Sequence, residues 1–149
     1  MSAPNAFESD ILKLIFQNTN LANLGDATGL RGSSTAGSLY VALHTADPGE
    51  AGDQTTSEAT YTSYARVAIV RSAVGFTVSG TAPTQVANAG TTTFPACTGG
   101  SNTITHFSIG IASAGASEMI VSGALTASLA VSNGITPSFA AGALVATCD

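Results

Sequence analysis

The sequence contains few charged residues and no tryptophan. Asp, Glu, Lys and Arg together make up 9% of the 149 residues, against about a quarter in an average soluble domain. Hydrophobic residues reach 44%, which is enough for a packed core and is the opposite of the composition of disordered chains. A surface with so little charge suits a free monomer poorly. The composition therefore indicates a folded protein whose surface is largely covered by neighbouring subunits.

Cations are especially scarce, and the net charge is −5. Lys13, Arg31, Arg66 and Arg71 cannot neutralise a track of phosphates, so we expect no nucleic-acid partner. No run approaches the roughly 20 apolar residues of a membrane span, and the first ten residues lack a basic region. We therefore expect no membrane partner and no signal peptide.

The motifs that carry common chemistries are also missing. The sequence has no GxSxG, no P-loop, no GxGxxG after a strand and no HExxH. Cys97 and Cys148 show no zinc-type spacing; a disulfide between them is possible, and two reduced, buried thiols are favoured. The sequence thus predicts no enzyme, with no catalytic, cofactor-binding or metal-binding residue and no cofactor.

Residues 5–18 have the pattern of an amphipathic helix. Asn5 is a good N-cap, and Glu8 three residues later completes a capping-box pair. One apolar face recurs at helical spacing, and we predict that it contacts another subunit: Phe7, Ile11, Leu14 and Ile15. Phe16 lies partly off this face, which leaves open that the helix is covered on more than one side.

The stretch 25–37 is rich in glycine and serine and has no periodicity, which is typical of a flexible link. A further short turn of helix before it would be stopped by Gly25. We therefore divide the chain into a helical arm with its link, 1–37, and a β-domain, 38–149.

From Ser38 onward the hydrophobic period is two. About eight short strands follow at a spacing of roughly ten residues, separated by Gly, Pro and Asn. Asn133-Gly134 marks a tight turn. The predicted fold class is all-β, a β-sandwich or jelly-roll-like domain with an N-terminal α-helical arm.

A histidine and three acids lie within the short segment 44–53: His44, Asp47, Glu50 and Asp53. Asp47-Pro48-Gly49 is turn chemistry, and we interpret the segment as the tip of a solvated loop that runs to about Thr62. A calcium site would need oxygen ligands at alternate positions, which are missing. His44 and Asp47 could also form a base and its orienting acid, but a nucleophile is then required. His106 is predicted to be a hydrogen-bonded structural histidine.

Four motifs carry a family resemblance that covers nearly the whole chain: residues 43–49, 64–66, 105–107 and 139–142. They resemble small virion proteins of tailed bacteriophages, some labelled tail fibre proteins and others similar to capsid decoration or cement proteins. The resemblance implies no catalytic residues.

Between these roles, a compact domain with a tethered apolar helix favours decoration. We predict a cement protein that is made in the host cytoplasm and sits on the capsid exterior, where it bridges subunits of the major capsid protein and self-associates as a dimer or trimer. A tail or tail-fibre component with a structural or adhesive role is the alternative.

Overall fold

The computed structural model describes residues 3–22, 24, 32–80 and 83–148. These residues form one helix and nine strands, so the prediction of an all-β protein with an N-terminal helix is confirmed. The elements are α1 (Asn5–Gln17), β1 (Ser38–His44), β2 (Val67–Val70), β3 (Phe76–Ser79), β4 (Thr84–Asn88), β5 (Thr92–Thr93), β6 (Ser101–Gly110), β7 (Met119–Ser132), β8 (Ser138–Phe139) and β9 (Val145–Cys148). In this part of the chain no helix has the length and apolar character to cross a membrane.

Helix α1 begins differently from the prediction. Pro4 is the N-cap, with extended backbone angles and no side-chain cap, and Asn5 is already helical. The Pro4 carbonyl accepts hydrogen bonds from the N–H groups of Phe7 (2.9 Å) and Glu8 (3.1 Å). The predicted capping box is therefore wrong. The helix ends at Gln17 because Asn18 adopts the left-handed conformation, which asparagine tolerates; Gly25 lies outside the described residues.

The described residues divide into two compact units. Unit 1 comprises the described residues within 1–38, 69–90 and 141–149. Its sheet has the strand order β3-β4-β9 and is antiparallel. Helix α1 packs on β3 and β4, burying Glu8, Leu12 and Phe16. The Phe16 and Phe76 rings meet edge to face with centroids 5.2 Å apart, an arrangement that aromatic pairs prefer.

The face predicted to contact another subunit is not the face that packs in unit 1. Phe7 is 42% exposed, and Ile11, Leu14 and Ile15 are half-buried. This face is therefore accessible in the isolated chain, and its contact with a partner stays a prediction. The division at residue 37 stays a prediction too. Most of the expected link, 25–31, lies outside the described residues.

Unit 2 comprises residues 39–68 and 91–140. The four-stranded sheet has the order β2-β1-β6-β7, and β5 pairs with β8. Strand β1 pairs antiparallel with β6 from Tyr40↔Gly110 to His44↔His106. The face predicted for β1 places Leu39, Val41 and Leu43 in the interior. Ala42 and His44 on the other face are buried too, so the second half of the strand is covered on both faces.

Two strands predicted from separate patterns are one strand in the structure. The segments EMIVSGALT and SLAVS form β7, which pairs with β6 along its length. The register shifts between Ala124 and Leu129, so that residues 125–128 stand opposite Thr105 alone. The predicted turn follows β7: the Ile135 N–H donates to the Ser132 carbonyl at 2.9 Å, and Gly134 has a φ of +87°.

Candidate functional site

The most concentrated chemistry in the described chain is a buried polar network in unit 2, centred on Arg66. The Arg66 side chain is 1% exposed and pairs with the Glu58 carboxylate, whose side chain is 18% exposed. Nε donates to Oε1 at 2.7 Å and Nη2 donates to Oε2 at 2.9 Å. This two-pronged geometry is the strong form of an arginine–carboxylate pair. The hydrogen bonds that Arg66 donates to Glu58 raise the pKa of Arg66.

The remaining Arg66 donors bind loops from elsewhere in unit 2. They reach Gln54 Oε1 (3.2 Å), Ala112 O (3.0 Å), Ser117 Oγ (3.1 Å) and Gly115 O (2.9 Å). One guanidinium thus ties the segment around Gln54 to the loop that connects β6 with β7. Burial without such partners would cost several kcal/mol.

Gln54 connects this ion pair to the sheet. Its side chain is completely buried. Its amide nitrogen donates to the Tyr40 carbonyl at 2.9 Å, and its amide oxygen accepts from Ser117 Oγ at 2.8 Å as well as from Arg66. Gly110 leaves the room for this amide, because a Cβ there would overlap the Gln54 side chain.

His44 continues the network at the end of β1. The ring is completely buried. Nδ1 lies 2.8 Å from the Thr56 carbonyl and must carry the proton, so Nε2 accepts from Ser108 Oγ at 2.8 Å. Burial lowers the pKa of His44, which keeps the ring neutral. The prediction that placed His44 in a solvated loop with the three acids is wrong, because the strand carries it into the interior.

Tyr64 closes the network on its other side. Its hydroxyl accepts from the Leu43 N–H (3.0 Å) and donates to Glu58 Oε1 (3.1 Å). Its ring is parallel to that of Phe94, with centroids 6.2 Å apart. Burial raises the pKa of the Tyr64 hydroxyl. Tyr64 therefore combines an aromatic core contact with a polar one.

The acids of the predicted loop have local roles. Asp47 Oδ1 accepts from the Gly49 N–H at 2.9 Å, where Gly49 has a φ of +68°. Asp53 Oδ1 accepts from the Thr55 N–H at 2.7 Å, and its hydrogen bonds with Thr55 lower the pKa of Asp53. Across the described ranges, no three His, Cys, Asp or Glu residues are grouped to hold a metal ion.

The segment 45–62 is not the solvated loop that was expected. Exposed residues occur along its whole length, but they alternate with buried ones from residue 54 onward, where Gln54, Ala59 and Tyr61 are buried. The Ala59 N–H donates to the Leu43 carbonyl and the Thr45 N–H to the Ser57 carbonyl, both at 2.8 Å. The segment thus extends the pairing of β1.

The other predicted residues are largely structural. His106 is hydrogen-bonded as expected, through Nδ1 to Thr105 Oγ1 at 2.9 Å. Cys97 is a free, buried thiol whose Sγ donates to the Gly99 carbonyl at 3.2 Å. The side chain of Cys148 lies outside the described residues.

Two members of the network, Gln54 and Glu58, were not predicted from the sequence. Glu58 stands eight residues before Arg66 in an otherwise uncharged stretch, and that isolated opposite charge was the available signal. Gln54 gave no signal of its own. A surface hollow of about 250 Å³ beside the pair is lined by Glu58, Tyr64, Arg66 and residues 113–115.

Comparison with known protein families identifies the family of the chain. The family model described as Podophage GP4 fiber I protein gp80 matches residues 3–147. The chain belongs to this family. It is a structural protein of a phage virion, so the coarse part of the sequence resemblance is confirmed. No curated protein is detectably similar to the chain.

Proposed function

We propose that the protein is a structural component of a phage fibre, and that it acts as a rigid building block rather than as an enzyme. The family description names a fibre protein. The observation that carries the proposal is that the charged and ionisable side chains at the centre of unit 2 are used up by internal hydrogen bonds. Arg66 binds Glu58 and the Gly115 carbonyl, and His44 binds Ser108. Groups engaged in this way serve as internal cross-links.

The same observation argues against catalysis at the network. Both ring nitrogens of His44 are occupied by Thr56 and Ser108, and His44 and Ser108 are completely buried. A general base needs a hydrogen bond to a substrate or to an accessible nucleophile. Buried polar networks with satisfied partners rigidify a fold, which suits a structural part of a virion.

The outer face of α1 is the proposed attachment point to a neighbouring virion protein. Phe7 is 42% exposed, and Ile11, Leu14 and Ile15 lie half-buried beside it on the helix. Contiguous exposed apolar surface marks interaction sites. Leu14→Asp should therefore reduce incorporation into particles and leave the fold intact by circular dichroism. Thr19→Asp, an equal charge change at an exposed position just beyond the helix, is the control and should incorporate normally.

Capsid cementing is the second candidate, with the major capsid protein as partner. It is favoured by the accessible helix face and by the low charge of the chain, which fits a protein surrounded by identical copies. The fibre assignment is favoured by the family description.

Counting and locating the protein in purified particles separates the two. The fibre proposal predicts a small copy number by quantitative mass spectrometry and antibody labelling at the tail in electron micrographs. Particles without the protein should keep their DNA on heating and adsorb poorly to cells. Hundreds of copies spread over the head, with DNA lost from particles that lack the protein, would instead establish cementing.

A further inference from the structure

Strand β7 is an edge strand that carries neither charged residues nor proline. It is the last strand on one side of the four-stranded sheet. Its backbone pairs with β6, and residues 3–22, 24, 32–80 and 83–148 supply no strand on its other side. Proteins commonly guard such edges with charges or proline. The sequence of β7, MIVSGALTASLAVS, contains neither.

A bulge divides this edge into two short regular stretches. Residues 125–128 stand opposite Thr105 alone, and the stretches 121–124 and 129–132 pair regularly on either side. A bulge of this kind limits uncontrolled pairing of an edge strand. The two stretches have the same length and lie symmetrically about the bulge, and residues 122, 124, 130 and 132 are all exposed.

We propose that β7 pairs antiparallel with β7 of a second copy, with the two-fold axis passing through the bulge. Residues 121–124 of each chain then lie beside residues 129–132 of the other. An antiparallel edge pairing is self-complementary under two-fold symmetry, and added strands gain affinity from main-chain hydrogen bonds.

Charge favours a second copy as the occupant. The chain carries a net charge of −5, yet residues 119–132 carry none, so identical edges meet without like-charge repulsion. Glu118, which directly precedes the strand, would be placed by the two-fold axis at opposite ends of the interface in the two copies. The neighbouring acids, Glu50 and Glu118, lie together beside residues 119–122, so the rest of the strand offers an oppositely charged partner no group to bind.

The bulge also sets the strength of the contact. Two four-residue stretches pair weakly between free molecules, whereas copies held close together in a particle pair through their high local concentration. The edge thereby stays open during synthesis and closes on assembly. Pairing through β7 is compatible with a fibre or a capsid location, so its failure would leave the proposed function standing.

The first test is sedimentation across a concentration series. The wild-type protein should show a concentration-dependent monomer–dimer equilibrium. The double variant Val121→Lys/Ser132→Lys should weaken dimerisation roughly tenfold or more, because the register sets residue 121 of each copy opposite residue 132 of the other and so brings like charges together. Val74→Lys, at a turn residue of unit 1 that is 83% exposed, adds the same type of charge elsewhere and should dimerise as the wild type does.

The second test does not depend on the lysine variant folding. Protein carrying Val121→Cys is mixed with protein carrying Ser132→Cys and treated with a short bis-maleimide. The proposed register predicts more cross-linked mixed dimer than either variant forms alone, above the background from the native cysteines. The proposal is overturned if the wild type stays monomeric at its highest soluble concentration and the two cysteine variants form no mixed dimer. Cross-linking that favours Val121→Cys with itself overturns the proposed register as well.

Discussion

Two arginines that are five residues apart in the sequence bind different kinds of partner in the two units. Arg66 in unit 2 is buried against a carboxylate, Glu58. Arg71 in unit 1 is half-buried and binds the end of α1: its Nε donates to the Ile15 carbonyl at 2.6 Å and its Nη2 to the Leu14 carbonyl at 2.9 Å. Arg66 therefore neutralises a charge, whereas Arg71 satisfies neutral carbonyls.

The two arginines have different partners because each unit has a different group that needs a cation. The last turn of α1 contains no basic residue, although its free carbonyls carry the negative end of the helix dipole. Arg71 supplies the missing cation from outside the helix. Unit 2 instead has to bury a loop with polar side chains, and there an isolated carboxylate would be costly. The protein has four cations in all and places one at the helix end and one in the buried network.

The largest expected loss of stability comes from Arg66→Met, which leaves the Glu58 carboxylate without its counter-charge and with Tyr64 as its remaining side-chain donor. Breaking a buried pair on one side costs about 3–5 kcal/mol, so the urea midpoint of unfolding should fall sharply. The double variant Arg66→Met/Glu58→Leu should recover part of the loss, because no charge is then left unpaired. A loss below about 1 kcal/mol in the single variant would mean that the pair is solvated, since exposed pairs contribute that little.

Gly110→Ala should be next in size. The added methyl group overlaps the buried Gln54 side chain, and overpacking of an interior costs about 1–3 kcal/mol. Gly90→Ala is the matched control, because a Cβ there meets no atom within 4 Å. If both variants melt at the same temperature as the wild type, Gln54 is not held as tightly as its contacts indicate.

Arg71→Met should cost less than Arg66→Met. Hydrogen bonds from a charged donor contribute about 1.5–3 kcal/mol, and partial exposure of Arg71 reduces this to about 1–2 kcal/mol. Arg71→Lys should give an intermediate loss, since an ammonium group can still reach one carbonyl. Helix content by circular dichroism during urea unfolding measures the effect. Equal losses from Arg66→Met and Arg71→Met would remove the distinction between the two sites.

The smallest expected effect is the contribution of His44 to the pH dependence of stability. Burial lowers the pKa of His44 below its ordinary value of 6.5, so the unfolded chain binds the proton more readily than the folded one. The contribution of neutral His44 to stability is therefore complete above pH 6.5 and is lost as the pH falls toward the folded-state pKa. Melting temperatures between pH 7 and 5 should decline more steeply for the wild type than for His44→Leu. Parallel curves would show that His44 does not titrate on unfolding in this range.

Local periodicity was sufficient for much of the fold. The helix at 5–17 and the alternating strands such as β1 are specified by residues close in sequence, and patterns of that range are visible in a single chain. The face of α1 that packs on the sheet could not be identified from the sequence, because the helix carries apolar residues on both sides. Leu12 and Phe16 face the sheet, while Leu14 and Ile15 face outward.

The buried network could not be predicted from the sequence for a different reason. Gln54 and Ser117 are 63 residues apart, and His44 and Ser108 are 64 apart. A polar stretch with glycine and threonine looks solvated until its distant partners are known, so the segment 45–62 was misjudged. The hydrogen bonds from Arg66 to the 112–117 loop, which span 46 to 51 residues, were concealed in the same way, although Arg66 itself belongs to a recognisable motif.

Hydrogen exchange measured by mass spectrometry on the wild type, Arg66→Met and Arg71→Met tests the central claim most directly. If a buried charge network holds unit 2 together, Arg66→Met should accelerate exchange in residues 54–62 and 111–117. Arg71→Met should act on the end of α1 and on residues 33–36 instead. Unchanged protection of 54–62 and 111–117 in Arg66→Met, or the same exchange pattern in both variants, would contradict the account.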